Sequence, residues 1–513
     1  MRRKEPLTTS SEWTFDLINQ YYDVLARMAD DYGLDYYPNQ IEIIDSEQML
    51  DAYSSIGMPL FYNHWSFGQS FIQQQKMYQK GYMGLAYEIV INSNPAIAYL
   101  MEENSMLMQI LVIAHASFGH NAFFKNNYLF KQWTDAESII DYLSFAKWYI
   151  ADCEERYGLD AVEEILDACH AIQQYGVDKY KRPPALSAAQ EKARQKERQD
   201  YQQSQVNELW STIPKSSKDD SDEEERTFPS EPQENLLYFI EKNAPNMEPW
   251  KREILRIVRK IAQYFYPQMQ TKVMNEGFAT FWHYTLLNDL YDEGYIDEGF
   301  MQEFLITHTN VVNQRGWHEG YNGINPYALG FAMFQDIKRI CTEPTDEDRD
   351  WFPDFAGNGD WVGTIIWAME NFKDESFISQ FLSPKVIRDF RFFAVMDDEK
   401  DPKYEISAIH DKAGYKHIRK ALSLQYNIAT MIPDIQVVNV DRWGDRSITL
   451  RHTMINNRPL DGESALQVME HIGYLWGYDV HLESLDDQEK IRANYSMTEG
   501  QSLLDVFMDD DEG

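Results

Sequence analysis

Two histidines, His115 and His120, close an almost wholly apolar run from Leu111 to Asn127, LVIAHASFGHNAFFKNN. Imidazole nitrogens are common ligands of zinc-type ions, and a pair four residues apart on one helix holds a single ion in H-E-x-x-H enzymes. Here the spacing is five. Each residue of an α-helix turns by about 100°, so positions five apart diverge by about 140°, and a regular helix keeps the two rings from one ion. A π-bulge, which absorbs one residue, or a break at Gly119 would bring them together. The competing reading is a buried helix with two satisfied imidazoles, His115 bonded in the core and His120 at the helix end.

A second constellation lies in MNEGFATFWHY, Met274 to Tyr284. Glu276 and His283 are seven apart, about 20° from one helical face and roughly 10 Å apart along it. Glu276 is therefore the candidate third ligand, and His283 is left to support the site from behind, contact substrate or assist proton transfer. The alternative is a Glu276 that only bonds a core partner, but a carboxylate among Phe278, Phe281 and Trp282 is costly unless paired or metal-bound. Gly277 and Ala279 would allow another helix to approach closely.

Two histidines from one helix and a glutamate from a later one is the ligand layout of thermolysin-like zinc hydrolases. Those enzymes carry their general base directly after the first histidine, where this chain has Ala116. A catalytic carboxylate must then come from elsewhere. Glu103 in AYLMEENS would lie about 18 Å from His115 along an unbroken helix and needs a break at Asn104-Ser105. Glu88, in the strand-like AYEIVIN, is the other source. His64, Asn121 and His308 complete the set of site candidates, with His64 and His308 also readable as structural imidazoles. The tract GINPYALGFAMFQDIKRI is expected to serve packing alone. No G-x-S-x-G elbow, Walker loop or G-x-G-x-x-G following a strand is present.

The elements that must position these residues are mostly helical. At about 150 residues per domain, 513 residues suggest about three units. Residues 13–181 read as a helical core region, with one short strand in GLAYEIVINSNP and a helix beginning near Pro95. Residues 182–235 turn abruptly to proline pairs and charge runs, marking a linker or insertion with an exposed helix over 187–210. Helical patterning over 236–400 completes the core. The order of elements over 401–485 reads as β-α-β-β-α-β, a ferredoxin-like domain, and 486–513 reads as an acidic tail. The expected fold class is α+β.

The net charge of −36, from 83 acidic against 47 basic side chains, repels phosphate backbones and argues against nucleic acid as a partner. Three cysteines without paired spacing (Cys153, Cys169 and Cys341) point to a reducing compartment. The basic start MRRKEPLTTSSEWTF has no apolar region behind it. The longest apolar stretch, Met106 to Ala114, is interrupted by Gln109 and too short to span a bilayer. A cytoplasmic protein without a membrane span is the expectation.

The motifs HWSFG, GLAYEIVINSNP, YLMEEN, AHASFGHNAFFKNNYLF, YPQMQTKVMNEGFATFWHY, HTNVV and GINPYALGFAMFQDIKRI, in this order, resemble the stage V sporulation protein R (SpoVR) family, particularly its versions in non-sporulating Gram-negative bacteria. The resemblance implies a link to late spore-cortex formation, a peptidoglycan process. It also implies a PrkA-type serine kinase and a von Willebrand A-like protein as functional partners, through gene neighbourhood. The site residues above rest on residue chemistry, not on the resemblance. Together they suggest a metallohydrolase that uses Zn²⁺ or another divalent ion on amide bonds of peptidoglycan-derived peptides. The alternative is a non-catalytic regulatory or scaffold protein acting with the kinase, through the ferredoxin-like domain or the acidic linker with its serines Ser216, Ser217 and Ser221.

Overall fold

The structure, a computed structural model, describes the chain apart from residues 1–4, 56–57, 59–60, 80–87, 181–227, 316–322, 393, 397–404, 409–410, 457, 499–500 and 507–513. The helix expected over 187–210 and the serines Ser216, Ser217 and Ser221 lie outside the described residues. The fold is mostly helical with small sheets, in the α+β class. Two compact units form: 1–166 with 260–432, and 167–259 with 433–513.

The first unit holds every candidate site residue. Its apolar helix starts at Met106, where the Ser105 hydroxyl accepts the Met108 N–H at 3.2 Å, as an N-cap should. It runs as an α-helix to Ile113, as a π-helix from Ala114 to His120, and as an α-helix again to Asn126. This Met106–Asn126 stretch has the length and apolarity of a membrane span, yet it is wholly buried in the protein, the signature of a core helix. Against it packs the helix Lys272–Glu293, which also packs against the helix Pro326–Thr342.

Both helix contacts depend on absent side chains. A Cβ at Gly119 would lie 2.5 Å from the Ala279 Cα, and one at Gly277 would lie 2.4 Å from the Gly330 Cα. Ala279 thus serves the close approach to the histidine helix that its small size suggested, whereas Gly277 serves the contact with a third helix. The start of Lys272–Glu293 is capped from afar. The buried Asp374 carboxylate accepts the Val273 and Met274 N–H groups, both at 2.8 Å, while Thr271 at the cap position makes no side-chain capping bond, its hydroxyl donating instead to the Pro267 carbonyl at 2.8 Å.

A three-stranded sheet flanks the histidine helix. Its central strand is Ala96–Met101, parallel to Asn39–Ile44 and antiparallel to Glu88–Ile91. This corrects the helix expected near Pro95. All six residues of AIAYLM are buried, so neither face shows the alternation that marks a half-exposed strand, and a short apolar run is ambiguous between strand and helix.

In the second unit a five-stranded sheet has the order 501–506, 491–498, 480–485, 448–453, 434–440. Its one parallel pair, 448–453 with 480–485, is bridged by the helix Gly462–Trp476. The ferredoxin-like arrangement is not confirmed. The strand Glu405–Ala408 pairs with Ala394–Met396 in a separate two-stranded sheet of the first unit. Nor is 486–506 an acidic tail: Ile491–Thr498 alternates its buried Ala493, Tyr495 and Met497 with outward residues and adds a strand to the sheet. The buried Glu241 of this unit is neutralised by Arg256 and Arg259, at 3.0 and 3.1 Å.

Candidate metal centre

The π-helical winding of Ala114–His120 resolves the spacing problem. With i→i+5 hydrogen bonding, residues five apart come onto one face, and the His115 and His120 rings lie edge to face with centroids 4.6 Å apart. Their Nε2 atoms converge on the same two carboxylates. His115 Nε2 is 3.4 Å from Glu88 Oε1 and 3.7 Å from Glu276 Oε2. His120 Nε2 is 3.9 Å and 3.5 Å from the same two atoms. Glu88, His115 and His120 each offer a ligand atom within 4.8 Å of one another.

These spacings suit an ion. A tetrahedral centre with bonds of about 2.1 Å keeps its ligand atoms about 3.4 Å apart, close to the four distances found. The hydrogen-bond inventory agrees. His120 Nδ1 lies 2.9 Å from Asn275 Oδ1, an acceptor, so the ring proton sits on Nδ1 and a neutral His120 turns its Nε2 lone pair toward two carboxylates. Lone pair against anion is repulsive without a cation or proton between them. Glu88 Oε2 and Glu276 Oε2 are both buried without a hydrogen-bond partner, and buried carboxylate oxygens are costly in that state.

Electrostatics divide the four groups. Burial raises the Glu88 pKa to about 7, with the Glu276 charge adding to the effect against His115. Burial would raise Glu276 as well, but the imidazoles facing it, His115 above all, hold it below the usual range. Burial opposes protonation of His115, yet the two carboxylates outweigh it and raise the pKa, whereas burial and His115 push His120 down to about 4. The carboxylate side of the centre is the accessible one: Glu88 and Glu276 are 16% and 18% exposed, against 6% and 9% for the imidazoles.

Three residues that sequence reasoning did not assign complete the surroundings. Asn275, beside Glu276, holds His120. Tyr327 stacks on His115 at 6.3 Å and helps to hold the neighbouring Glu276 carboxylate ionised, so the tract assigned to packing alone reaches the site. It sits in the first turn of Pro326–Thr342, where Asn325 accepts its N–H. The Tyr53 hydroxyl donates to the Glu88 carbonyl at 3.2 Å. Asn-Pro at a helix start signals the position of Tyr327, but no local pattern signals its target.

The other candidates separate clearly. His283 Nδ1 meets His115 Nδ1 at 2.9 Å, and His283 Nε2 meets His308 Nδ1 at 3.0 Å, so both support the centre from behind. Glu103 is exposed and accepts the Ser46 N–H at 3.3 Å, which ties it to another helix start and not to the histidines. Asn121 clamps the Tyr37–Asn39 backbone and side chain, its amide bonding the Tyr37 carbonyl at 2.7 Å and Asn39 Oδ1 at 2.8 Å. His64 bonds Ser66 at 2.7 Å within a group of aromatic rings that includes Phe61, Tyr62 and Phe67.

The fold and the site define a mostly helical α+β protein with a buried centre of two imidazoles and two carboxylates. The chain belongs to the SpoVR family: residues 12–431 match the family described as SpoVR like protein, and 433–487 match the SpoVR-like C-terminal domain. It is 62% identical over 486 residues to the Escherichia coli (strain K12) protein named Uncharacterized protein YcgB, covering 94% of this chain and 95% of that one. No solved structure matches it.

Proposed function

We propose that this chain is a metal-dependent hydrolase of amide bonds. His115, His120 and Glu276 would hold Zn²⁺ or a similar divalent ion, and Glu88 would serve as general base. The convergence of two Nε2 atoms on Glu88 Oε1 and Glu276 Oε2, the latter buried without a hydrogen-bond partner, carries the reading. When bound, such an ion acidifies a water and polarises a carbonyl. Two imidazoles and one carboxylate leave a tetrahedral ion one open position, which is the catalytic pattern.

The two carboxylates then take different parts. Glu276, kept ionised by the imidazoles beside it, suits ligation. Glu88, poised near neutrality, suits proton exchange. As the water oxygen bonds to the carbonyl carbon, Glu88 takes the water proton. It returns that proton to the departing nitrogen as the C–N bond breaks, leaving a carboxylic acid and an amine. The link to cortex formation that the family resemblance implies would make peptides derived from peptidoglycan the substrate class.

Metal analysis and peptide cleavage test the reading. Wild type should carry one divalent ion per chain and Glu276→Gln should lose it. Glu88→Gln should keep it and lose amide cleavage by about 10²–10⁴-fold. Equal, negligible metal in wild type and in the His115→Ala, His120→Ala double variant would sink the proposal. Bound metal without cleavage of any peptidoglycan peptide would leave a structural ion and favour the regulatory role beside a PrkA-type kinase.

A further inference from the structure

Behind the centre, three buried imidazoles form a continuous chain, His115 Nδ1 to His283 Nδ1 at 2.9 Å and His283 Nε2 to His308 Nδ1 at 3.0 Å. Each nitrogen–nitrogen link needs one proton, supplied from one side. If His115 offers its Nε2 lone pair to an ion, its proton sits on Nδ1 and points at His283. A neutral His283 must then accept on Nδ1 and carry its own proton on Nε2, aimed at His308, which in turn accepts on Nδ1. One condition at one atom sets the order of the whole chain.

The scaffold holds that order in place. The helix Lys272–Glu293 carries Asn275 behind His120 and His283 behind His115, so both imidazoles take their orientation from the element that carries Glu276. His308, on the separate helix Glu298–Val311, is enclosed by the rings of Tyr284, Phe304 and Phe331, with centroids 4.9, 5.6 and 4.8 Å away.

We propose that His283 and His308 are positioning residues that hold His115 in its Nε2-ligating form, so that two side chains remote from the ion set its affinity. His283 acts directly, as acceptor for His115. His308 acts through His283, by favouring the tautomer that accepts. The inference rests on the metal reading above and deepens it.

Zn²⁺ affinity, measured by chelator competition on the full chain, tests the proposal through a double-mutant cycle. Support from outside the ligand shell is commonly worth about 10–100-fold in metal affinity, and His283→Leu should lose that much. His308→Leu should also weaken binding in the wild-type background. His283→Asn places a carbonyl oxygen where Nδ1 accepts, so it should bind within a few-fold of wild type, and adding His308→Leu to it should then cost nothing more. Imidazole ¹⁵N spectra of Zn²⁺-loaded wild type should show His283 and His308 protonated at Nε2. Wild-type affinity in His283→Leu and His308→Leu would overturn the proposal, as would an equal cost of His308→Leu in both backgrounds. Failure of wild type to bind Zn²⁺ would instead overturn the metal reading beneath it. His283→Asn keeps a polar acceptor at this position, and thermal melts of each variant separate lost affinity from lost folding.

Discussion

His115 and His120 present their Nε2 atoms to the same pair of carboxylates although five residues separate them, because the helix between them is π-wound. The residue inside that turn which permits the arrangement is Gly119. Its Cα faces Ala279 so closely that a methyl group would meet backbone, not a flexible side-chain end. The glutamate helix can therefore approach the π-turn only while position 119 lacks a side chain.

Gly119→Ala should accordingly push the two helices apart and damage fold and site together. Overpacking of this kind costs about 1–3 kcal/mol. Urea unfolding should show that loss, and Zn²⁺ titration should show weakened binding, because Asn275 and Glu276 move with the displaced helix. Wild-type stability and affinity in this variant would refute the packing argument.

How much of this centre was legible beforehand depended on how local each signal is. His115, His120 and Glu276 could be singled out because polar groups in long apolar runs are conspicuous, and a spacing of five demanded a π-turn or a break. Glu88 could be named only as an alternative, because its role depends on Glu88–Ile91 lying beside Ala96–Met101, a pairing that no short-range pattern encodes. Tyr327 and Asn275 escaped for a related reason: a tyrosine after an Asn-Pro helix start and an asparagine beside a glutamate look ordinary until three helices meet. The strand Ala96–Met101 was misread because burial on both faces erases alternation, whereas the alternation in Ile491–Thr498 was present but obscured by the surrounding acidic composition.

Metal should stabilise the first unit by mass action. A ligand at 100 times its dissociation constant adds about 2.7 kcal/mol. Calorimetry of chelator-stripped wild type should show a melting transition that rises by a few degrees on adding Zn²⁺, and no such rise in the His115→Ala, His120→Ala double variant. An equal shift in both proteins would place the ion elsewhere.

Acid should destabilise the fold through its buried imidazoles. Burial, with the His115 charge adding to it, lowers the His308 pKa from 6.5 to about 4. Between those values the unfolded chain binds a proton that the folded chain refuses. The stability from this group is therefore fully present above pH 6.5 and is lost as pH falls toward 4, at about 1.4 kcal/mol per pH unit. Glu88 and Asp374, both raised to about 7 by burial, act with the opposite sign over an overlapping range, so the raw pH profile mixes both effects. Subtraction isolates the imidazole: His308→Phe should lose less stability than wild type between pH 6.5 and 5, measured by denaturant unfolding at each pH. Parallel curves would contradict a neutral, buried His308.

The helix that carries Asn275, Glu276 and His283 owes its start to a residue about a hundred positions away. Asp374 accepts the N–H groups of Val273 and Met274, and the local cap residue Thr271 contributes no side-chain bond to this helix start. Asp374→Ala would leave two buried donors unsatisfied, at about 1–3 kcal/mol each. Asp374→Asn keeps one acceptor and should cost less. Because Glu276 lies within the first turns of this helix, fraying should also loosen the carboxylate, and Zn²⁺ affinity should fall in the order wild type, Asn, Ala. Hydrogen exchange at Val273 and Met274 gives the local readout, with faster exchange in both variants. If exchange quickened while metal affinity stayed constant, the cap would serve the helix without serving the site.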